Sequence, residues 1–113
     1  MSNYTLELLQ HIKETVDFLY ENYSSLTMKE FAGSFEKRKT TERCLEIIGE
    51  ATKKLLKEFR DKHPDIEWRN MAGMRDILIN DYSNIDYEII WTVLNTKIPE
   101  IKPKIDELIK NFS

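Results

Sequence analysis

Three polar side chains, Arg75, Asp76 and Asn80, lie within six residues of one another in the segment Trp68-Arg-Asn-Met-Ala-Gly-Met-Arg-Asp-Ile-Leu-Ile-Asn-Asp-Tyr82. Arg75 carries a guanidinium that stays protonated and offers a fork of donors, which suits a phosphate. Asp76 follows it as a polar organiser. Asn80 can donate and accept hydrogen bonds, but its amide has no titratable proton near neutral pH. These residue types would suit phosphate chemistry if they were brought together, but Asn80 could not serve as its general acid or base.

The spacing of these residues limits how one chain can bring them together. On an ideal helix Arg75 and Asn80, five residues apart, point about 140° away from each other, whereas Asp76 and Asn80 share a face. Either a helix ends or kinks before Asn80, or a second chain completes the site. Arg75 and Asp76 could also form an ordinary surface ion pair at a helix end, and Tyr82 could be a tyrosine packed in a turn.

Other groups that commonly carry catalysis are scarce in the sequence. His11 lies inside a helical pattern and His63 precedes a proline, so both are expected to be surface or packing residues. Neither a glycine-rich phosphate loop nor a metal-ligand cluster is readable from spacing. Cys44, the only cysteine, excludes an intrachain disulfide and a cysteine-based zinc site. We expect a protein without a metal ion or other cofactor.

Length and hydropathy indicate one ordinary globular domain over residues 1–113, with 41% hydrophobic and 33% charged residues. The amphipathic start lacks the apolar run of a signal peptide, and nowhere do 18 apolar residues follow one another. We therefore expect a cytoplasmic protein with no membrane partner.

The charge balance predicts no general attraction for nucleic acid. The formal net charge is −3, from 17 basic and 20 acidic residues. RNA binding would need a local basic patch, and the candidate patch consists of Lys37, Arg38, Lys39, Arg43, Lys53, Lys54, Lys57, Arg60 and Lys62. A solvated, charged helix face is the favoured interpretation of the same residues.

Apolar residues at three- and four-residue spacing run along the whole chain, which predicts an all-helical fold. A first helix is predicted over about 4–21, and Thr27 with Glu30 has the spacing of a capping box. Ser34 could cap a long central helix whose apolar stripe continues until His63 and Pro64.

The second half of the chain continues this pattern. A helix is predicted from 68 to about 79, a turn over 80–85, and a further helix that Asp86 caps. Pro99 predicts a kink or short break, although it could equally be the first residue of another helix. Four main helices with short connections favour an antiparallel four-helix bundle with short extra helical segments.

The segment around Arg75 resembles the signature of HepT-type proteins in the HEPN superfamily. That signature has an arginine and a polar residue, a histidine four to six residues after the arginine, and often a tyrosine two residues further on. Arg75, Asp76 and Tyr82 match it, and Asn80 occupies the histidine position. The similarity extends to Thr41-Glu-Arg-Cys-Leu-Glu-Ile-Ile-Gly-Glu-Ala and to Ile-Asp-Tyr-Glu-Ile-Ile-Trp at 85–91.

The resemblance implies a metal-independent ribonuclease toxin of a type VII-like toxin–antitoxin system, with RNA and not DNA as substrate. It also implies a homodimer in which two copies of the Arg75 helix line one cleft. The implied partner is a minimal nucleotidyltransferase antitoxin that transfers AMP from ATP to Tyr82. Arg75 would be the phosphate ligand and position 80 the acid or base.

Asn80 leaves two questions open in the sequence. A natural loss of activity and a deliberate substitution by an experimenter both explain it, and the intact surrounding motif favours the second. Because Asn80 cannot transfer a proton, the alternative function is a non-catalytic helical module that recruits a nucleotidyltransferase or binds nucleotides.

Overall fold

The computed structural model describes residues 3–112, apart from the side chain of Tyr82. All regular elements in that range are helical, which confirms the predicted all-α fold. None of the described helices is long and apolar enough to cross a membrane. The elements are α1 (Asn3–Tyr23), α2 (Met28–Ala32), α3 (Phe35–Lys54), α4 (Lys57–Asp61), α5 (Trp68–Asn80), a 3-10 turn (Tyr82–Asn84), α6 (Tyr87–Thr92), a π-helical segment (Val93–Lys97) and α7 (Ile98–Lys110).

Side-chain caps begin three of the helices where the sequence predicts them. The Thr27 hydroxyl accepts a hydrogen bond from the Glu30 N–H at 3.1 Å, and the Glu30 carboxylate accepts one from the Thr27 N–H at 3.0 Å. Ser34 caps α3 and Asp86 caps α6 through their side-chain oxygens. These contacts satisfy N–H groups of the first turn that have no partner within the helix.

The central helix is shorter than the sequence predicts. α3 ends at Lys54, Leu55 adopts extended backbone with φ −69° and ψ 139°, and α4 begins at Lys57. Leu55 and Phe59 are both buried, whereas Leu56 between them is 67% exposed. The three- and four-residue apolar spacing continues across the break, so the pattern gave no sign of it.

The C-terminal segment stays helical through Pro99. α6 passes into the π-helical segment, and α7 follows directly with Pro99 in its first turn. Pro99 has no N–H to donate, and its ring crowds the carbonyl four residues earlier, so a wider π turn suits this place. The predicted short break is therefore wrong, and the alternative of a helix with Pro99 at its start agrees with the structure.

The four long helical segments pack unequally. α1 packs against both α3 and α7, and fully buried side chains such as Leu9, Ile12 and Ile105 fill this core. α5 packs mainly against α3. A groove of about 860 Å³ therefore remains between α5 and the π-helical and α7 segments, with Leu45 and Ile48 of α3 among its lining residues. The bundle is open on the side where α5 lies.

Candidate functional site

The position of α5 is set by its crossing with α3 at Gly49. A Cβ built on Gly49 would collide with the Arg75 side chain and lie 2.9 Å from the Met71 carbonyl oxygen. Backbone and Cβ atoms cannot swing aside as the end of a long side chain can, so any larger residue here would push α5 away. The glycine therefore brings Arg75 directly against α3.

Beside this crossing, three side chains form what we call the α3–α5 cluster: Lys53, Arg75 and Asp76. One carboxylate oxygen, Oδ1 of Asp76, accepts a hydrogen bond from Lys53 Nζ at 2.5 Å and one from Arg75 Nη1 at 3.1 Å. The bond from Lys53, followed by that from Arg75, lowers the pKa of the Asp76 carboxyl below its ordinary value. With two cations and one anion, the cluster keeps a surplus positive charge at neutral pH.

The Arg75 guanidinium is only partly engaged by the protein. Its side chain is 28% exposed, and Asp76 is the acidic group it pairs with. Its Nε is buried without a hydrogen-bond partner among the described residues. A buried donor left in this state costs roughly 1–3 kcal/mol, and such groups are found at functional sites. An anion from solvent would therefore bind the exposed part of the guanidinium and not the buried Nε.

Asn80 is the last residue of α5 and is exposed. The helix runs unbroken from Trp68 to Asn80, so the predicted alternative in which it ends before Asn80 is wrong. Arg75 and Asn80 therefore keep their separation of about 140° around the helix. Within the described part of the chain no hydrogen bond joins them.

Tyr82 begins the 3-10 turn that follows α5. The Asn84 backbone N–H donates to the Asp81 carbonyl at 3.0 Å, and the Asn84 side chain donates to Asp81 Oδ1 at 3.1 Å, which closes the turn. The side chain of Tyr82 lies outside the described atoms. Whether it is packed or accessible stays a prediction.

The two histidines lie on α1 and in the segment that follows α4. His11 is exposed on α1. His63 is half-buried, with its ring 4.8 Å from that of Phe59, and its carbonyl accepts a hydrogen bond from Trp68 Nε1 at 3.0 Å. Their interpretation as surface and packing residues is confirmed.

Acidic side chains pair with several residues of the predicted basic patch. Lys39 lies 3.3 Å from Glu42, and Lys57 lies 2.7 Å from Asp61. Arg43 pairs with two glutamates of its own helix. These contacts favour a solvated, charge-balanced helix surface over one continuous basic patch.

The contact between Lys53 and Asp76 was missed by sequence reasoning, because the two residues lie 23 positions apart on different helices. A signal was present. Gly49 and Lys53 are four residues apart and share a face of α3, and a glycine within a helix often marks a close crossing. Together, these two features predict that Lys53 lies next to the helix that crosses α3 at Gly49.

Residues 7–108 match the family model described as Ribonuclease HepT-like. A relative from Caldanaerobacter subterraneus subsp. tengcongensis, named as a candidate RNase, is 39% identical over 102 residues, which cover 90% of this chain and 91% of that protein. A candidate RNase from Methanocaldococcus jannaschii is 38% identical over 106 residues, covering 94% and 84%. A candidate ribonuclease HepT from Thermococcus cleftensis is 35% identical over 104 residues, covering 92% and 94%. No solved structure matches. The chain belongs to the HepT-like ribonuclease family.

Proposed function

We propose that this chain is the toxin of a type VII-like toxin–antitoxin system, a ribonuclease that cleaves RNA without a metal ion. The observation that carries the proposal is the surplus positive charge of the α3–α5 cluster. Two of its residues, Arg75 and Asp76, lie on the helix that ends at Asn80. The substrate is RNA and not DNA, because the nucleophile is the 2′-hydroxyl of the substrate itself.

The chemistry assigns a role to each residue. The 2′-hydroxyl oxygen attacks phosphorus, the bond from phosphorus to the 5′ oxygen breaks, and a 2′,3′-cyclic phosphate forms. A base must take the 2′-hydroxyl proton and an acid must protonate the leaving oxygen. Arg75 binds the phosphate and stabilises its developing charge, and Asp76 orients Arg75. A histidine at position 80 could serve as this base or this acid, because its imidazole titrates near neutral pH. Asn80 can transfer neither proton, so the chain with Asn80 is catalytically impaired.

A homodimer would complete this site. A Cβ built on Gly73, in the middle of α5, meets nothing within 4 Å, so no contact within the described chain explains a glycine that costs a helix roughly 1 kcal/mol relative to alanine. Ile77, one turn later, is 56% exposed, and both residues line the open groove. Asn80, three residues after Ile77, lies on the same face, so packing of this face against a second copy would place position 80 at the interface.

The partner we propose is a minimal nucleotidyltransferase antitoxin: the Tyr82 oxygen would attack the α-phosphorus of ATP, lose its proton, and displace diphosphate, which leaves AMP on the tyrosine. Tyr82 stands two residues after Asn80, in the turn that follows α5. An added AMP carries a negative phosphodiester and a bulky base, which would repel and exclude an RNA phosphate near Arg75. Incubation with the antitoxin and Mg-ATP, followed by peptide mapping, tests this assignment, and AMP on another residue would contradict it.

Asn80 itself supports a second candidate function. If the native gene also encodes asparagine here, the same fold serves better as a non-catalytic module that recruits the nucleotidyltransferase or binds nucleotides. The codon for position 80 in the native gene separates the two.

The decisive experiment is Asn80→His, assayed with a fluorescent single-stranded RNA in the presence of a chelator. A positioned acid or base contributes roughly 10²- to 10⁴-fold in rate, so cleavage should rise by that factor over the parent chain. Asn80→Gln is the matched control, because it alters the side chain without adding a titratable group. A folded Asn80→His protein that leaves the RNA intact would overturn the ribonuclease assignment of this site.

A further inference from the structure

We infer that Lys53 is a second phosphate-binding cation of the RNA site, held next to Arg75 by Asp76. Lys53 lies on α3, outside the segment of α5 that carries the arginine and position 80. The inference rests on the proposed ribonuclease function and adds a binding residue to that site.

The shared oxygen of Asp76 determines the geometry. Because Lys53 Nζ and Arg75 Nη1 both donate to Oδ1 of Asp76, at 2.5 and 3.1 Å, the two cationic groups are adjacent to each other. Since both donors are within hydrogen-bond distance of one oxygen atom, they are close enough for a single phosphate to contact both. Lys53 is therefore placed to donate a hydrogen bond to the second non-bridging oxygen of a phosphodiester that is bound to Arg75.

The charges also distinguish this contact from ordinary surface pairs. Lys57 and Asp61 form a one-to-one pair within α4, with no charge left over. In the α3–α5 cluster a single carboxylate faces two cations, so one positive charge is uncompensated. A phosphodiester, which carries one negative charge, would balance it.

Lys53 remains available for such a ligand. Its side chain is 43% exposed, and its ammonium has three donors, of which Asp76 takes one in the described structure. Gly49, one turn earlier on the same face of α3, sets the close crossing that puts Lys53 within reach of Asp76. The position of the lysine is thus built into the packing of α3 against α5.

The test measures how tightly the chain with Asn80 binds a labelled single-stranded RNA. Because this chain is expected not to cleave RNA, binding can be measured without loss of the substrate. Fluorescence anisotropy from 50 to 200 mM KCl gives both the affinity and its salt dependence. Lys53→Met should weaken binding roughly fivefold or more and reduce the slope of log affinity against log salt by about 0.7 for each lost phosphate contact. Lys53→Arg should keep most of both values.

Lys54→Met is the matched control, since it removes the same charge from the exposed neighbouring position on α3. It should leave the slope closer to that of the parent, and Arg75→Ala should weaken binding at least as much as Lys53→Met. An unchanged slope for a folded Lys53→Met protein, or equal losses for the two lysines, would overturn the inference while Arg75 keeps its role. If the parent chain binds no RNA, the proposed ribonuclease site itself is wrong and Lys53 loses its assignment with it.

Discussion

Among the ionic contacts of the described residues, two clusters that each link a pair of helices differ in how their charges balance. What we call the α1–α7 cluster contains Lys13, Asp17, Lys102 and Asp106, with N···O distances of 2.7–3.4 Å between each lysine and both aspartates. Its two cations and two anions neutralise each other. The α3–α5 cluster also links two helices, but its single carboxylate must serve two cations.

The difference teaches how to separate a structural ion-pair network from a binding site. A balanced network has little left to offer a charged ligand, and its effect is to link α1 with α7. An unbalanced cluster still attracts an anion, but its uncompensated charge lowers the stability of the fold. The buried Nε of Arg75, which has no hydrogen-bond partner among the described residues, lowers it further. We therefore expect the two clusters to respond to mutation in different observables, the first in stability and the second in activity.

The largest expected effect separates the clusters by activity. In the Asn80→His background, Arg75→Ala should lower RNA cleavage by roughly 10²- to 10³-fold, because it removes the donor for the phosphate charge. Lys102→Met removes one positive charge from the α1–α7 cluster and should change cleavage less than about twofold while the protein is folded. Initial rates on one RNA substrate, with circular dichroism to verify folding, measure both. Similar losses in the two variants would end the distinction between the clusters.

The next effect concerns two glycines: Gly49 of α3, where α5 crosses it, and Gly73 on the open face of α5. Gly49→Ala should lower the free energy of unfolding by about 1–3 kcal/mol, because the new methyl group overlaps Arg75 and the Met71 carbonyl. Gly73→Ala should raise the stability of the monomer by roughly 1 kcal/mol, since nothing within the described chain opposes its methyl group. Urea unfolding at low protein concentration gives both values.

The same pair tests the proposed homodimer. If the Gly73 face contacts a second copy, Gly73→Ala should weaken dimerisation roughly tenfold in sedimentation equilibrium, the size of effect expected from one badly placed methyl group. A parent protein that is monomeric at micromolar concentration would remove the composite-site argument. A dimer unaffected by the substitution would place its interface elsewhere.

The local features of the fold could be predicted from sequence, because their causes are local. The caps at Thr27, Ser34 and Asp86 depend on side chains within three residues of the N–H groups they satisfy. The break at Leu55 could not be predicted, since no proline or glycine marks it and the apolar spacing continues beyond it. There the chain turns because both Leu55 and Phe59 find buried positions, which is a property of the assembled core.

The candidate site divides in the same way. Arg75 and Asp76 were found because they are neighbours in a recognisable segment, and their contact with each other is present. The third member of the cluster, Lys53, is contributed by another helix, and the crossing at Gly49 that brings it there is a tertiary event. The proposed contact of position 80 lies across a dimer interface, and the helical spacing within one chain does not predict such a contact.

The smallest expected effect is on the acid dependence of stability, and it concerns Asp17 in the balanced cluster. Burial raises the pKa of this carboxyl, but hydrogen bonds from Lys102 and Lys13 outweigh burial, so its pKa lies below the ordinary value of 3.8. Such a group stabilises the fold above the pKa of the unfolded state and loses that contribution as pH falls through the lowered folded-state pKa. Asp17→Asn should therefore cost about 1 kcal/mol at pH 7, and its difference from the parent should shrink below about pH 4. Asp76→Asn is the comparison, with a smaller effect because water surrounds its carboxylate. Urea unfolding of the three proteins at pH 7, 5 and 3 measures this, and a deficit for Asp17→Asn that grows on acidification would contradict the assignment of the α1–α7 cluster as a stabilising network.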